Sequence, residues 1–335
     1  MTLRRVVVTG MGALTPIGND LNSYWNGLIN GTNGCGNITH FDASEFKTKF
    51  ACELKGFDPA NHFEKKEFRR YDPFTQYGIV AASESIEDSK ILESNPNFDR
   101  IGVIWGSGIG GLETFQNEVL NFSEGNGTPR FNPFMIPKMI PDIAPGLIAM
   151  KYGFQGPNYA TVSACASSSN AIQDAFTYIR LGKADVIITG GSEAAVVEAG
   201  IGGFNAMHAL STRNDDPKTA SRPFDKERDG FVMGEGAGTL ILESLEAALK
   251  RGAPILCEVT GTGMAADAYH LTGTHPDGEG AKGERDYNTE IAYKMAAILE
   301  SKGAEVYIHF HAISSYGARQ RAMRDCVNAA LPNCE

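Results

Sequence analysis

One cysteine lies where a strand pattern changes into a helix pattern. Cys165 stands in the run Thr161-Val-Ser-Ala-Cys-Ala-Ser-Ser-Ser-Asn170, after residues of strand character at 158–164 and before apolar residues at helical spacing that end near Gly182. Unpaired N–H groups and the dipole at a helix start favour thiolate over thiol, and the small neighbours leave room for a substrate carbonyl. Such a thiol suits nucleophilic acyl transfer, although a free cysteine is also often a buried structural residue. Position alone leaves both interpretations open.

A second candidate is the densest positive run of the chain, Lys65-Lys-Glu-Phe-Arg-Arg70. At helical spacing Lys66, Arg69 and Arg70 can share one face. By itself this pattern indicates an ordinary solvated surface.

Composition narrows the classes of function. The chain has 335 residues, of which 42% are hydrophobic, and its formal net charge is −10. An acidic chain is a poor general nucleic-acid binder, because phosphate contacts need a basic surface. No window offers the roughly 18 apolar residues of a membrane span. The six cysteines show no CxxC pair, so we expect free thiols, a cytoplasmic location and no membrane.

The elements that position Cys165 are predicted as alternating strands and helices. Helices are expected near 23–30, 112–121, 166–182 and 244–250, and strands at 3–9, 100–105, 158–164, 184–191, 237–243 and 255–261. This alternation predicts an α/β protein with a mostly parallel sheet covered on both faces. The tail from residue 284 predicts a helix, a strand and a last helix.

The glycines after the first strand invite a nucleotide-binding interpretation. Gly10 and Gly12 follow the predicted strand 3–9, as in a dinucleotide fingerprint. However, the third glycine at the helix start is missing, Pro16 interrupts the turn, and no acidic strand end follows about 20 residues later. We therefore expect a structural turn at 10–18.

The chain also carries a series of motifs that together resemble the β-ketoacyl-[acyl-carrier-protein] synthases of the elongating class, in the thiolase superfamily, over about residues 1–280. They occur in the family's order: Val6–Gly18, Gly106–Leu112, Ser163–Ser168, Gly190–Glu193, Ala209–Asn214, Ser221–Val232, Gly234–Gly238 and Asp267–His270. The resemblance implies a thiolase-like αβαβα layered fold. We expect a complete N-terminal half at 1–250 and a truncated or divergent C-terminal half at 251–335.

The resemblance also assigns roles to residues. Cys165 would accept the acyl chain, with its own backbone N–H as one oxyanion donor. Ile109 and Phe134 match positions that line the acyl pocket, although each is otherwise an ordinary core residue. The segment with Lys66, Arg69 and Arg70 matches the docking region for acyl carrier protein, and Arg130 would join it. The implied protein is a cytoplasmic homodimer of fatty-acid or polyketide synthesis that needs no cofactor or metal and condenses the acyl chain with a malonyl thioester.

The tail departs from the family pattern. The His-Gly-Thr and Lys-x-x-x-Gly-His motifs and a late Gly-Phe-Gly turn do not occur in the sequence. His311, in Tyr307-Ile-His-Phe-His311, is the candidate for a replacement catalytic histidine, although His309 and His311 equally fit a surface strand.

Three functional classes therefore stay open. The chain could be a working condensing acyltransferase, or a non-condensing partner subunit or degenerate copy. It could also be a composite chain whose tail resembles a zinc-dependent amidase, with His275, Glu284 and His311 compared with the metal ligands. Carbon-chain growth, retained dimerisation without activity, and stoichiometric zinc would distinguish the three.

Overall fold

The computed structural model describes residues 3–266 and 268–269. The helices are α1 Leu21–Ile29, α2 Lys65–Phe68, α3 Pro73–Ser89, α4 Leu112–Glu124, α5 Met135–Met139, α6 Ile143–Tyr152, α7 Ser167–Arg180, α8 Glu198–Ala206 and α9 Leu245–Arg251. The strands are β1 Val6–Leu14, β2 Gly36–Asn37, β3 Phe50–Ala51, β4 Ile101–Gly106, β5 Asn158–Thr161, β6 Val186–Glu193, β7 Gly236–Ser244 and β8 Cys257–Val259. The predicted tail elements, with His275, Glu284, His309 and His311, lie outside the described residues.

Six strands form one mixed sheet in the order β5-β4-β6-β7-β1-β8. β4 runs parallel to both β5 and β6, whereas the β6–β7, β7–β1 and β1–β8 pairs are antiparallel. The prediction of a mostly parallel sheet is therefore wrong. β7 and β8 run opposite to the other four strands. Strand direction depends on contacts between distant segments rather than on local pattern.

β1 extends further than the sequence predicts. It runs through Gly10 and Gly12, with a register shift between Val8 and Gly10, where a turn was expected. A Cβ on Gly12 would collide with the carbonyl oxygen of Ala81 in α3. The glycines therefore serve close helix–sheet packing, because only a residue without a side chain lets the α3 backbone approach this strand.

α3 lies in the centre of the larger apolar core and was not predicted. Phe74, Tyr77, Ile79 and Ile86 of α3 are buried among side chains of β4, β6, β7 and α6. Asp72 caps the helix by accepting the N–H of Phe74, and Pro73 follows at the first position. A helix buried on most sides has no narrow apolar stripe, so its sequence lacks the usual amphipathic signal.

A second apolar core covers the other face of the sheet. Ala171, Ala175, Phe176 and Ile179 of α7 pack there on residues of β1, β4 and β6. The helix starts close to the sheet because β4 ends in Gly106, where a Cβ would collide with the backbone of Ser167 and Ser168. α7 is thus fixed directly behind Cys165.

Among the described helices, none has the length and apolar character that crossing a bilayer requires.

Candidate active site

Cys165 lies in a short 3-10 turn, Ala164–Ala166, between the end of β5 and the start of α7. Its side chain is exposed, as a nucleophile requires. Ala164 has φ 51°, a left-handed conformation that is uncommon for a residue with a side chain. The predicted strand-to-helix position is confirmed, and strain in the residue before Cys165 is a feature often held at functional sites.

Ser167 holds this turn in place. Its Oγ accepts the N–H of Ser163 at 2.9 Å and donates to the carbonyl of Ala164 at 2.7 Å. Thr161 Oγ1 donates to the carbonyl of Ser167 at 2.8 Å. Among the described residues no acceptor takes the backbone N–H of Cys165. The turn therefore exposes the Cys165 thiol and leaves the backbone N–H of Cys165 without an acceptor among the described residues.

That space is a cavity of about 640 Å³. The walls come from the ends of β1, β4 and β6, the start of β7 and the segment before it, and apolar side chains dominate them. They include Ile109, Phe204, Phe231 and Met233. A cavity of this size and lining suits an alkyl chain attached to a reacting carbonyl.

Glu193 fixes the loop that brings Ile109 into this cavity. Its carboxylate accepts the N–H groups of Gly108 at 2.7 Å, Ile109 at 3.0 Å and Gly110 at 3.3 Å. Burial raises the pKa of Glu193, and these three hydrogen bonds oppose the shift. The motif Gly190–Glu193 was recognised in the sequence, but no role was predicted for Glu193, because its partners are 83–85 residues away.

The two predicted pocket residues are placed differently. Ile109 lines the cavity with Cys165. Phe134 does not line it within the described chain, and instead packs in a surface groove under the guanidinium of Arg70, 5.1 Å from its ring centre. The roles of both residues in acyl binding stay predictions. Phe204 and Phe231 also line the cavity, and neither was predicted to do so. Phe204 lies in none of the recognised motifs, and Phe231 lies in the motif Ser221–Val232, to which no role was assigned.

The basic groove that holds Phe134 has a volume of about 690 Å³ and is lined by four exposed cations, Lys65, Lys66, Arg69 and Arg70, with Asn132, Pro133 and Phe134. The predicted cluster of Lys66, Arg69 and Arg70 is thus brought together. Glu64 and Glu67, beside it, hydrogen-bond backbone N–H groups at the start of α2. None of the four cations pairs with a carboxylate of the described residues. Arg130 is exposed on the preceding segment and is not among the residues that line the groove.

Comparison with known proteins identifies the origin of this arrangement. Residues 3–248 match the family model of the β-ketoacyl synthase N-terminal domain. The chain is 51% identical over 278 residues to a 3-oxoacyl-[acyl-carrier-protein] synthase 2 of Synechocystis, covering 83% of this chain and 67% of the relative. It is 47% identical over 316 residues to the protein of the same name from Staphylococcus aureus, covering 93% and 73%.

A solved structure of a type II polyketide acyl-carrier protein in complex with its ketosynthase is similar as well. The TM-score is 0.69 at 29% identity, covering 90% of this chain and 71% of that chain. The layered fold predicted from the sequence is therefore confirmed as the thiolase-like fold of ketosynthases. With these matches over most of its length, the chain belongs to the β-ketoacyl synthase family.

Proposed function

We propose that this protein is an acyltransferase that accepts an acyl chain on Cys165 from acyl carrier protein in the cytoplasm. The supporting observation is the exposed thiol of Cys165 at the start of α7, facing an apolar cavity of about 640 Å³. In this reaction the Cys165 thiolate attacks the thioester carbonyl, and the carrier's thiolate leaves with the proton that Cys165 gave up. The backbone N–H of Cys165, which has no acceptor among residues 3–266 and 268–269, is the proposed donor to the oxyanion.

Condensation is the second part of the proposal. A malonyl thioester loses carbon dioxide, its carbanion attacks the acyl carbonyl, a carbon–carbon bond forms, and the Cys165 thiolate leaves. The residue proposed to stabilise the developing negative charge is His311. The two histidine motifs of the family are absent from the sequence, which favours a second candidate, a chain that is acylated but does not condense.

The basic groove is the proposed docking site for the carrier protein. Lys66, Arg69 and Arg70 are exposed cations without a described carboxylate partner, a state that suits an acidic partner surface. A ketosynthase with the same fold has been solved in complex with its own acyl-carrier protein. Arg130 is proposed to add to this surface.

We also propose a homodimer. β5 is an end strand of the six-stranded sheet that the described residues form, so one edge of Asn158–Thr161 is available for pairing. Val162, the next residue, is 61% exposed and apolar. A second copy placed at this edge would cover both features.

The division of the chain into an N-terminal half at 1–250 and a C-terminal half at 251–335 stays a prediction.

A two-carrier assay tests the proposed function. The protein is mixed with acyl-loaded carrier protein, and release of free carrier thiol is measured before and after malonyl-loaded carrier is added. We expect stoichiometric acyl transfer in the first stage, and 3-oxoacyl product in the second stage identifies a condensing enzyme. Transfer without product supports the second candidate, whereas a failure of both stages contradicts the proposal.

A further inference from the structure

Two thiols outside the cavity flank one end of the small β2–β3 ladder. Gly36 pairs with Ala51 and Asn37 with Phe50 in antiparallel register. Continuing this register by one residue places Cys35, before β2, opposite Cys52, after β3. The sequence gives no hint of this pair, because 16 residues separate the two cysteines and no CxxC spacing marks them.

Whether a cross-strand pair is hydrogen-bonded sets the distance between its Cα atoms, and that distance decides whether two sulfurs can bond. The N–H of Ile38 donates to the carbonyl of Lys49 at 3.0 Å, so hydrogen-bonded positions fall at 38/49 and, by alternation, at 36/51. Cys35 and Cys52 then occupy a non-hydrogen-bonded position, where Cα atoms are about 4.5 Å apart. Disulfides span Cα distances of about 4.4–6.8 Å. The backbone spacing is therefore compatible with a bond between these sulfurs.

The backbone N–H groups of both cysteines donate elsewhere than to each other, as a non-hydrogen-bonded pair requires. The N–H of Cys52 donates away from β2, to the carbonyl of Met233 at 2.8 Å, and the N–H of Cys35 donates to Asn33 Oδ1 at 2.9 Å. The side chains share one small apolar cluster with Phe50 and Ala220. Each thiol also acts on the pKa of the other, so the two are in direct interaction.

Burial makes both thiols slow to oxidise. Burial, with a smaller contribution from Cys52, raises the pKa of Cys35 to about 12, and burial also raises the pKa of Cys52. Because the thiolate is the reactive form, oxidation at neutral pH is slow. Cys35 is buried, whereas Cys52 is partly exposed. Cys52 is therefore the thiol that a small disulfide in solution can reach first.

We propose that Cys35 and Cys52 form a reversible intramolecular disulfide by exchange with a small-molecule disulfide of the glutathione class. The Cys52 thiolate attacks the small disulfide and releases one thiolate, and the Cys35 thiolate then attacks the Cys52 sulfur and releases the second. Two protein thiols are oxidised, one small disulfide is reduced to two thiols, and the two protons pass to the leaving thiolates. Disulfides of this transient kind are the ones found in reducing compartments.

The site adjoins the cavity of Cys165 but does not include that residue. Cys52 exchanges backbone hydrogen bonds with Met233 and Glu235, and both of these line the cavity. The disulfide would therefore tether the loop before β2 to the backbone of a cavity wall. This inference goes beyond the proposed acyl transfer and does not depend on it.

The test uses the full chain with Cys165→Ser, so that chemistry at Cys165 does not contribute. The protein is equilibrated with oxidised glutathione at pH 7, 8 and 9, the remaining thiols are alkylated, and the chain is cut with trypsin. Cleavage after Arg5, Lys47, Lys49 and Lys55 leaves Cys35 and Cys52 on separate peptides. A disulfide therefore appears as one linked peptide pair that separates on reduction.

We expect the linked pair to become the main form of both peptides, with a rate that rises about tenfold per pH unit, since both pKa values lie above this range. Cys35→Ser should abolish the pair and leave a stable glutathione adduct on Cys52, whereas the control Cys257→Ser should leave the pair intact. Separate alkylated peptides at all three pH values, or glutathione adducts on Cys52 that persist with Cys35 present, would overturn the proposal. Linkage of either residue to another cysteine would overturn it equally.

Discussion

The carboxylate of Glu193 accepts the backbone N–H of Gly108 at 2.7 Å, so the last residue of β6 holds the loop that leaves β4. Two further N–H groups, of Ile109 and Gly110, point at the same carboxylate. This loop forms one wall of the cavity in front of Cys165. The shape of the cavity thus depends on a side chain for which the sequence predicted no role.

Glu193→Gln is expected to loosen that wall. An amide offers one oxygen acceptor, and its NH2 group would face N–H donors, so we expect a loss of about 1–3 kcal/mol in the free energy of unfolding. Acyl transfer to Cys165 should slow at the same time. Urea denaturation and a single-turnover acylation assay measure the two effects. Glu45→Gln, on an exposed carboxylate, is the control, and a Glu193 variant that matches it would contradict this role.

Arg251→Met is expected to destabilise the fold by about 3–5 kcal/mol, because it leaves the buried carboxylate of Glu243 without its cation. Arg251 Nε donates to both oxygens of Glu243, at 2.8 and 3.0 Å, and Nη1 donates to the carbonyl of Ser89 at 2.9 Å. The double variant with Glu243→Gln should recover part of the loss. Denaturant titration decides, with Arg5→Met as the control, because an exposed ion pair contributes little to stability. Equal losses of unfolding free energy in Arg5→Met and Arg251→Met would be inconsistent with a buried Arg251–Glu243 ion pair.

Reversing the charges of the basic groove should weaken the binding of carrier protein. For Lys66→Glu, Arg69→Glu and Arg70→Glu together, we expect at least about a tenfold slower association at low salt and a flatter dependence on ionic strength. A matched triple reversal at Lys218, Lys226 and Lys250, exposed cations that do not line the groove, is the control. Surface binding kinetics at two salt concentrations measure both variants. If the two behave alike, the groove is ordinary solvated surface.

Local patterns predicted the region around Cys165 well. The change from strand spacing to helix spacing occurs within the consecutive residues 158–172, so it can be recognised locally. The structure places the turn there. The same holds for β4 and α9, whose predicted positions shift by only one residue. Short segments with clear periodicity carry their own signal.

Features that depend on distant segments were not predicted. Gly10 and Gly12 resembled a turn, and only the approach of α3 explains why glycine is needed inside a strand. α3 itself has few exposed positions, so its pattern is not amphipathic. The mixed sheet and the pairing of Cys35 with Cys52 follow from strand direction and register, which the local sequence does not determine.

Condensation is expected to be slow relative to acylation, and to fall further in His311→Ala. Loss of one donor to a developing oxyanion typically costs a factor of about 10²–10³, and two family histidine motifs are absent. Product formation with malonyl-loaded carrier is compared for the unmodified chain, His311→Ala and the neighbouring control His309→Ala. A rate equal to that of a complete synthase that His311→Ala leaves unchanged would show that other residues supply the missing donors.

The most direct measurement is the mass of the protein after brief incubation with acyl-loaded carrier protein, followed by tryptic mapping. The account predicts one acyl group per chain, on the peptide Tyr152–Arg180 that carries Cys165. Cys165→Ala should remove the adduct, and Cys257→Ala should leave it unchanged. An acyl group spread over several cysteines, or retained in Cys165→Ala, would contradict the assignment of Cys165 as the acyl acceptor.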